Sequence, residues 1–312
     1  MNFKLKAFIQ NAVSKLPEEF SYNIYFLLQR NFGSLRADKI DYIQHFKSAN
    51  ELLSSFERAN IEYKDKQFLE LGTGRTVIIP LALWLCGVNS VTTVDKNPYL
   101  NEDIMNDYLG YMQKNREIIE EALGGRVIGT KFDYLLENIK PKSFKTSDFG
   151  ISYISPADAQ KLDFADGSFD IFYSWDVLEH IPKDILIGVF KEVFRVLKKG
   201  GFMLNNIDYS DHFAHSDKNI SAINFLQFND EEFEELAGNR YMYMNRLRHS
   251  DFTAIFGDIG FCELFADKKS DELLFEKAES TGFVLDPKFS NYSVDDINTT
   301  SAIIVSIKNT DS

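Results

Sequence analysis

Residues 68–80 read FLELGTGRTVIIP. An apolar strand stops at Gly72 and Gly74 and hands over to a helical run, and a glycine turn at the carboxyl end of a strand lets backbone come close to a ligand. A dinucleotide-binding turn would carry a third glycine three residues after the second; here that position is Val77. Glu70, two residues before the first glycine, would repel a pyrophosphate and attract an ammonium or sulfonium group. Asp95 closes the next apolar run about twenty residues further on, where a carboxylate can accept hydrogen bonds from both hydroxyls of a ribose. The turn therefore predicts a cationic ligand that contains a ribose.

Outward from this turn, apolar runs alternate with helical patterns, as in a parallel sheet covered on both faces. QFLEL is the first strand, TVIIPLALWLCG a helix and SVTTVDKNP the second strand. A long polar helical stretch, LNEDIMNDYLGYMQKNREIIEEAL, precedes the third strand in GISYISPADA and the fourth in SFDIFYSWD. ILIGVFKEVFRVLKKGG reads as an amphipathic helix closed by its glycines, and GFMLNNIDY as the fifth strand. DIGFCELFADK and TSAIIVSIKN are two final strands separated by an acidic helical insert. The expected fold class is α/β, a seven-stranded, mostly parallel sheet with helices on both faces. Residues 1–60, with Leu5, Phe8, Ile9, Ala12, Val13 and Leu16 spaced by threes and fours, form a helical lid. Residues 61–312 form the sheet domain, with insertions at about 101–150, 209–260 and 268–300.

Composition narrows the function. The 312 residues are 44% hydrophobic, enough for one large core. No run of about 18 apolar residues predicts a membrane span, and the N-terminus lacks the apolar block of a signal peptide, so a cytoplasmic location is expected. Cys86 and Cys262 lie far apart in apolar surroundings and read as reduced, buried thiols. A formal net charge of −13 disfavours nucleic acid, whose binding depends on clustered Lys and Arg. Lys4, Lys6 and Lys15 beside the apolar positions of the first helix leave weak contact with a membrane surface as a further expectation. The sequence does not indicate an oligomeric state.

SPADAQKLDFADGSFDIFYSWDVLEHIP, taken with FLELGTGRT before it and FKEVFRVLKKGGFMLNN after it, resembles the class I methyltransferases that use S-adenosylmethionine, in the branch related to ubiquinone- and sterol-methylating enzymes. The resemblance spans about residues 66–208 and implies a Rossmann-like sheet with S-adenosylmethionine as cofactor. By that likeness, Glu70, Gly72, Thr73 and Gly74 hold the methionine part, and Asp95 with Lys96 the ribose. Asp158 and Ala159 contact the adenine, while Ser174, Trp175 and Asp176 line the sulfonium and acceptor side. Thr76 stands where many members carry a third glycine, and the segment before the third strand is longer than in compact members.

Methyl transfer to an alcohol needs a recipient for the hydroxyl proton. Asp208, His212 and His215 follow the fifth strand, with His212 the expected general base and His215 its understudy. With Asp211, the same residues could instead ligate a divalent metal, but no metal is expected. Trp175, Asp176, Arg246 and Arg248 are the expected substrate contacts, the arginines gripping a phosphate or carboxylate or else pairing with the acids of NDEEFEELAG. His180, in VLEHIP, reads as a support for the loop. The reading is O-methylation of a small-molecule or sugar-type acceptor, including a surface-polysaccharide precursor. The alternatives are a nicotinamide-dependent oxidoreductase and a non-catalytic binding protein of the same fold at a membrane surface.

Overall fold

The computed structural model describes residues 2–33, 35–36, 39–139 and 144–309. Residues 140–143 of the expected 101–150 insertion, and 1, 34, 37 and 38 of the expected lid, lie outside the described residues. In chain order come α1 (Phe3–Ser14), α2 (Glu18–Phe32), α3 (Gln44–Arg58), β1 (Gln67–Leu71), α4 (Ile78–Leu85), β2 (Ser90–Val94), α5 (Glu102–Lys114), α6 (Arg116–Ala122) and α7 (Gly129–Asn138). β3 (Ile151–Ile154), β4 (Phe169–Trp175), α8 (Lys183–Val196), β5 (Leu197–Asp208), α9 (Asp230–Ala237), α10 (His249–Ile259), β6 (Phe261–Ser270), α11 (Leu274–Ser280), α12 (Val294–Asn298) and β7 (Thr299–Lys308) complete it.

The sheet has seven strands in the order β3-β2-β1-β4-β5-β7-β6. β1 to β5 pair in parallel and β7 runs antiparallel to both of its neighbours, as expected of a mostly parallel sheet. Central parallel strands are covered on both faces and so carry unbroken apolar runs; in β1 every residue after Gln67 is buried. α4 is apolar all round because it lies between the sheet and α3. Phe46, Ala49, Leu52, Leu53 and Phe56 of α3 are fully buried in the core beside β1 and α4, so this helix packs within the sheet domain. On the opposite face α8 and α10 cover the sheet through Leu186, Phe190, Val193, Phe252 and Phe256. A third cluster holds α1 in place, Phe3 and Ala7 packing with Phe213, Phe225 and Phe233.

Two local readings change. The helix expected to run through LKKGG ends at Val196, and Leu197 already pairs with Phe169 as strand. The ladder then skips from Leu197 to Phe202 while its partner advances only from Phe169 to Ile171. The extra residues form a bulge, which Gly200 accommodates at φ +69°. The glycines thus belong to the strand and do not cap the helix. Cys262 is exposed, not buried, because β6 is the sheet edge and most of its residues face solvent; Cys86 is buried as expected. Charged Asp267, Lys268 and Lys269 on the same edge discourage pairing with another chain.

Candidate active site

β1 and β2 end side by side, with Leu71 opposite Val94, so the glycine turn and Asp95 meet at one edge of the sheet. Gly72 sits at φ +88°, and a Cβ there would fall 2.4 Å from a methyl of Val177. That glycine lets the turn close against the segment after β4. Gly74, at φ +64°, has no atom within 4 Å of where its Cβ would lie, so its open side faces the cavity. The Asp95 carboxylate accepts from the amides of Gly74 and Asn97, both at 2.9 Å, tying the turn to the end of β2. Burial raises its pKa above that of an ordinary aspartate, the two amides opposing.

Glu70 is 4% exposed and accepts a short hydrogen bond from the Thr93 hydroxyl. Thr93 in turn lies 2.5 Å from the hydroxyl of Thr73. Burial pushes the Glu70 carboxyl up to about 7, against the hydroxyls of Thr93 and Tyr173. A carboxyl that titrates near neutrality gives up its proton readily when a cation arrives.

These groups open on a cavity of about 1050 Å³. Glu70, Gly72, Thr73, Gly74, Asp95, Lys96, Trp175 and Asp176 all line it, so the structure brings together half of the candidate site residues that the sequence singled out. Ser174 does not reach it; its buried hydroxyl donates to Asn205 Oδ1 at 2.8 Å. Asp158 and Ala159 also stand outside the lining, and Asp158 accepts from the amide of Gln160 in a local turn. Arg246 is anchored to Asp230 at 2.5 Å and to the carbonyl of Phe228, and Arg248 is fully buried among backbone carbonyls. Neither arginine lines the cavity. The pairing of Arg246 with the acids of α9 is the one anticipated as the alternative.

Asp208 ends β5, with Nε2 of both His212 and His215 at 3.4 Å from its Oδ2. Burial opposes its ionisation, but hydrogen bonding from His212, His215 and the Ser210 side chain holds this carboxyl far below the usual range. The cluster touches the cavity wall through His180, whose ring meets that of His212 at 4.9 Å. Asp211 turns away, accepting from the Phe213 amide and from Asn224 Nδ2.

The expected lid and insertions supply the cover, but its individual side chains were not singled out in the sequence. Tyr22 of α2, His45 of α3, Tyr108 of α5 and Arg240, Tyr241 and Tyr243 line the far wall. Tyr25 stacks on Tyr241 with ring centroids 4.0 Å apart, and Tyr22 meets Tyr99 edge-on at 5.2 Å. The Arg75 guanidinium, at the glycine turn, lies 5.1 Å above the Phe26 ring and fastens the cover to the seat. Tyrosines spread over two helices and two loop segments give no local motif. Only their convergence in space reveals them.

The strand order, the carboxylate-flanked glycine turn and the acidic end of β2 define a Rossmann-like methyltransferase fold. Residues 114–205 match the family described as a methyltransferase domain. A stretch of 86 residues is 37% identical to a sterol 24-C-methyltransferase of Yarrowia lipolytica, covering 27% of this chain and 22% of that one. The chain thus spans about a fifth of the length of that curated relative. Among solved structures, a protein from Pyrococcus horikoshii superposes with a TM-score of 0.49 at 18% identity, over 90% of this chain and 98% of the other. An S-adenosylmethionine-dependent methyltransferase from Methanosarcina mazei does so with 0.47 at 18%, over 81% and 97%. A methyltransferase domain thus occupies residues 114–205, and the cofactor of the similar structure from Methanosarcina mazei is S-adenosylmethionine. The donor set fits that cofactor: a buried carboxyl for a cationic end, an open glycine and a carboxylate at ribose spacing.

Proposed function

We propose that this chain methylates an oxygen of a small, sugar-type acceptor. The observation that carries the reading is one cavity with a cation seat at Glu70 and an imidazole–carboxylate cluster behind its opposite wall at His180. Glu70, Thr73, Gly74, Asp95 and Lys96 would hold S-adenosylmethionine, and Trp175 and Asp176 would stand on the acceptor side. When bound, the cofactor supplies an electrophilic methyl group whose carbon receives an electron pair from the acceptor oxygen while the bond to sulfur breaks and its pair stays on sulfur. The chain's own contribution is alignment, exclusion of water by the tyrosine cover, and a place for the hydroxyl proton in the Asp208, His212 and His215 group. Labelled methyl transfer should be found with pools rich in free hydroxyls and lost when the same pools are acetylated; transfer that survives acetylation removes oxygen as the acceptor atom.

The Glu70 carboxyl makes cofactor binding depend on pH. Its pKa is raised from 4.5 to about 7, so the folded apoprotein holds a proton that the unfolded chain has already lost. The stability this contributes is complete below pH 4.5 and disappears as pH rises through about 7. An ammonium in the seat favours the charged form and reverses the trend for binding. Affinity for S-adenosylhomocysteine should therefore rise between pH 5.5 and 7.5 and then level, with proton release on binding at pH 6. Calorimetry in buffers of different ionisation enthalpy checks this, and Glu70→Gln should abolish the proton release.

The membrane expectation is kept for the outer face of the first two helices. α1 docks through Phe3 and Ala7, but Phe8 is 71% and Phe20 66% exposed, with Lys4 and Lys15 also exposed. No helix among the described residues is long and apolar enough to cross a membrane. Flotation with anionic vesicles should be lost in the Phe8→Ser, Phe20→Ser double variant; unchanged flotation excludes this face.

A further inference from the structure

Glu179 has no role in the chemistry above, yet it is one of the costliest side chains in the protein to bury. It is 4% exposed, and neither carboxylate oxygen completes a hydrogen bond among the described residues. An unpaired buried carboxylate costs several kcal/mol unless something positive meets it or it keeps a proton. Burial, and then the carboxylates of Asp176 and Asp208, hold its pKa well above that of an ordinary glutamate, with only the backbone amides of Glu179 and Asp208 opposing. The charged groups that act on Asp176 are Asp208, His212 and His215, with no Lys or Arg among them.

Two imidazoles face the same point. Nδ1 of His180 lies 2.7 Å from the carbonyl of Tyr243, and because a carbonyl only accepts, that nitrogen carries the proton. Its Nε2 is left as a bare lone pair, the tautomer that a metal-binding histidine needs, fixed by a backbone oxygen. Nε2 of His212 is buried and also completes no hydrogen bond, its 3.4 Å approach to Asp208 being electrostatic only. One oxygen of Glu179 and one nitrogen from each histidine lie within 4.8 Å of one another. Ligand bonds of about 2.0–2.2 Å set ligand atoms about 3.4 Å apart in a tetrahedral site, so side-chain shifts on the order of an ångström would close the set. Carboxylate and imidazole without thiolate suit a divalent cation such as Mn²⁺ or Zn²⁺.

We propose that Glu179, His180 and His212 form a divalent-cation site that receives the hydroxyl oxygen of the acceptor. Asp176 stands beside the site with one oxygen held by Asn206 at 2.6 Å, and its left-handed backbone, φ +54°, places it at the cavity lining. His180 lines the same cavity, so the cation would face the space that the acceptor occupies. Three protein ligands leave coordination positions open, and a Lewis acid there makes an alcohol proton easier to remove. This assignment deepens the O-methylation reading and rests on it: the acceptor class becomes one with a hydroxyl beside a second oxygen, as in a vicinal diol, which can fill two open positions. His212 then becomes a ligand, and the proton leaves to His215, which is half exposed and beside Asp208.

The test is Mn²⁺ titration of the full chain, followed by electron paramagnetic resonance and calorimetry, with S-adenosylhomocysteine titrated on the same samples. One Mn²⁺ per chain is expected, competed by Zn²⁺, with affinity reduced at least tenfold in Glu179→Gln and in His212→Ala. S-adenosylhomocysteine affinity should change less than threefold in both. Wild-type protein that binds S-adenosylhomocysteine but neither Mn²⁺ nor Zn²⁺ overturns the cation site and leaves the methyltransferase reading intact. Protein that binds Mn²⁺ but no S-adenosylhomocysteine does the reverse. If either variant fails to fold, anomalous scattering from Mn²⁺-soaked wild-type crystals decides: a peak between the three side chains supports the site, and a peak elsewhere or none removes it.

Discussion

Asp95→Ala is expected to lower affinity for S-adenosylhomocysteine about 100-fold while leaving the protein folded. The carboxylate has two jobs at one position. Its oxygens hold the amides of Gly74 and Asn97, and its remaining lone pairs face the cavity where the ribose would lie. Charge-assisted hydrogen bonds contribute about 1.5–3 kcal/mol each, and losing the ribose contact together with the tether should cost about 3 kcal/mol, which is roughly 100-fold in affinity. Asp95→Asn keeps an acceptor oxygen for one amide and should fall between the two. Isothermal calorimetry gives the affinities, and a melting curve shows whether the loop alone was lost. An Asp95→Ala variant that binds within threefold of wild type would remove the ribose role from the end of β2.

How far the sequence could be read follows from the range of the interactions involved. β1, the glycine turn and Asp95 are adjacent in the chain or separated by one helix, so strand periodicity and glycine position were enough to place them together. The seven strands were legible for the same reason, since each apolar run records its own burial. The start of β5 was not: LKK continues the helical pattern of α8, and only the pairing of Leu197 with Phe169 overrides it. Cys262 was misplaced because an edge strand and an interior strand share the same letters, and which strand is the edge is a property of the topology. The tyrosine cover and the three-residue cluster at Glu179 are assembled from segments far apart in sequence. Glu179 was visible beside His180, but its lack of a partner is a fact about what surrounds it.

Arg248 shows how a correct sign of importance can carry the wrong role, and its replacement should give the largest loss of stability of any single change considered. A basic spot in an acidic chain suggests an anion grip, yet this side chain is fully buried. Its guanidinium donates to the carbonyls of Tyr209, Asp296, Ile297 and Thr299, at 2.5 to 3.2 Å. It joins the end of β5 to the α12–β7 junction, next to the strand that delivers Asp208. Burial lowers its pKa, and Asp296 nearby opposes that, so the charge is retained by proximity to a carboxylate and a ring of carbonyl dipoles. Removing the guanidinium leaves several buried acceptors without donors, and each costs about 1–3 kcal/mol. Arg248→Met, which keeps volume but no donor, should destabilise by at least about 3 kcal/mol by the precedent of broken buried charge networks. Arg248→Lys should recover only part, because one ammonium cannot span carbonyls that a planar fork reaches together. Denaturant unfolding measures both. The readout that separates this role from an anion grip is binding below the melting temperature: S-adenosylhomocysteine affinity should be unchanged in whatever fraction remains folded, and no added phosphate or carboxylate should protect wild type against unfolding through this residue.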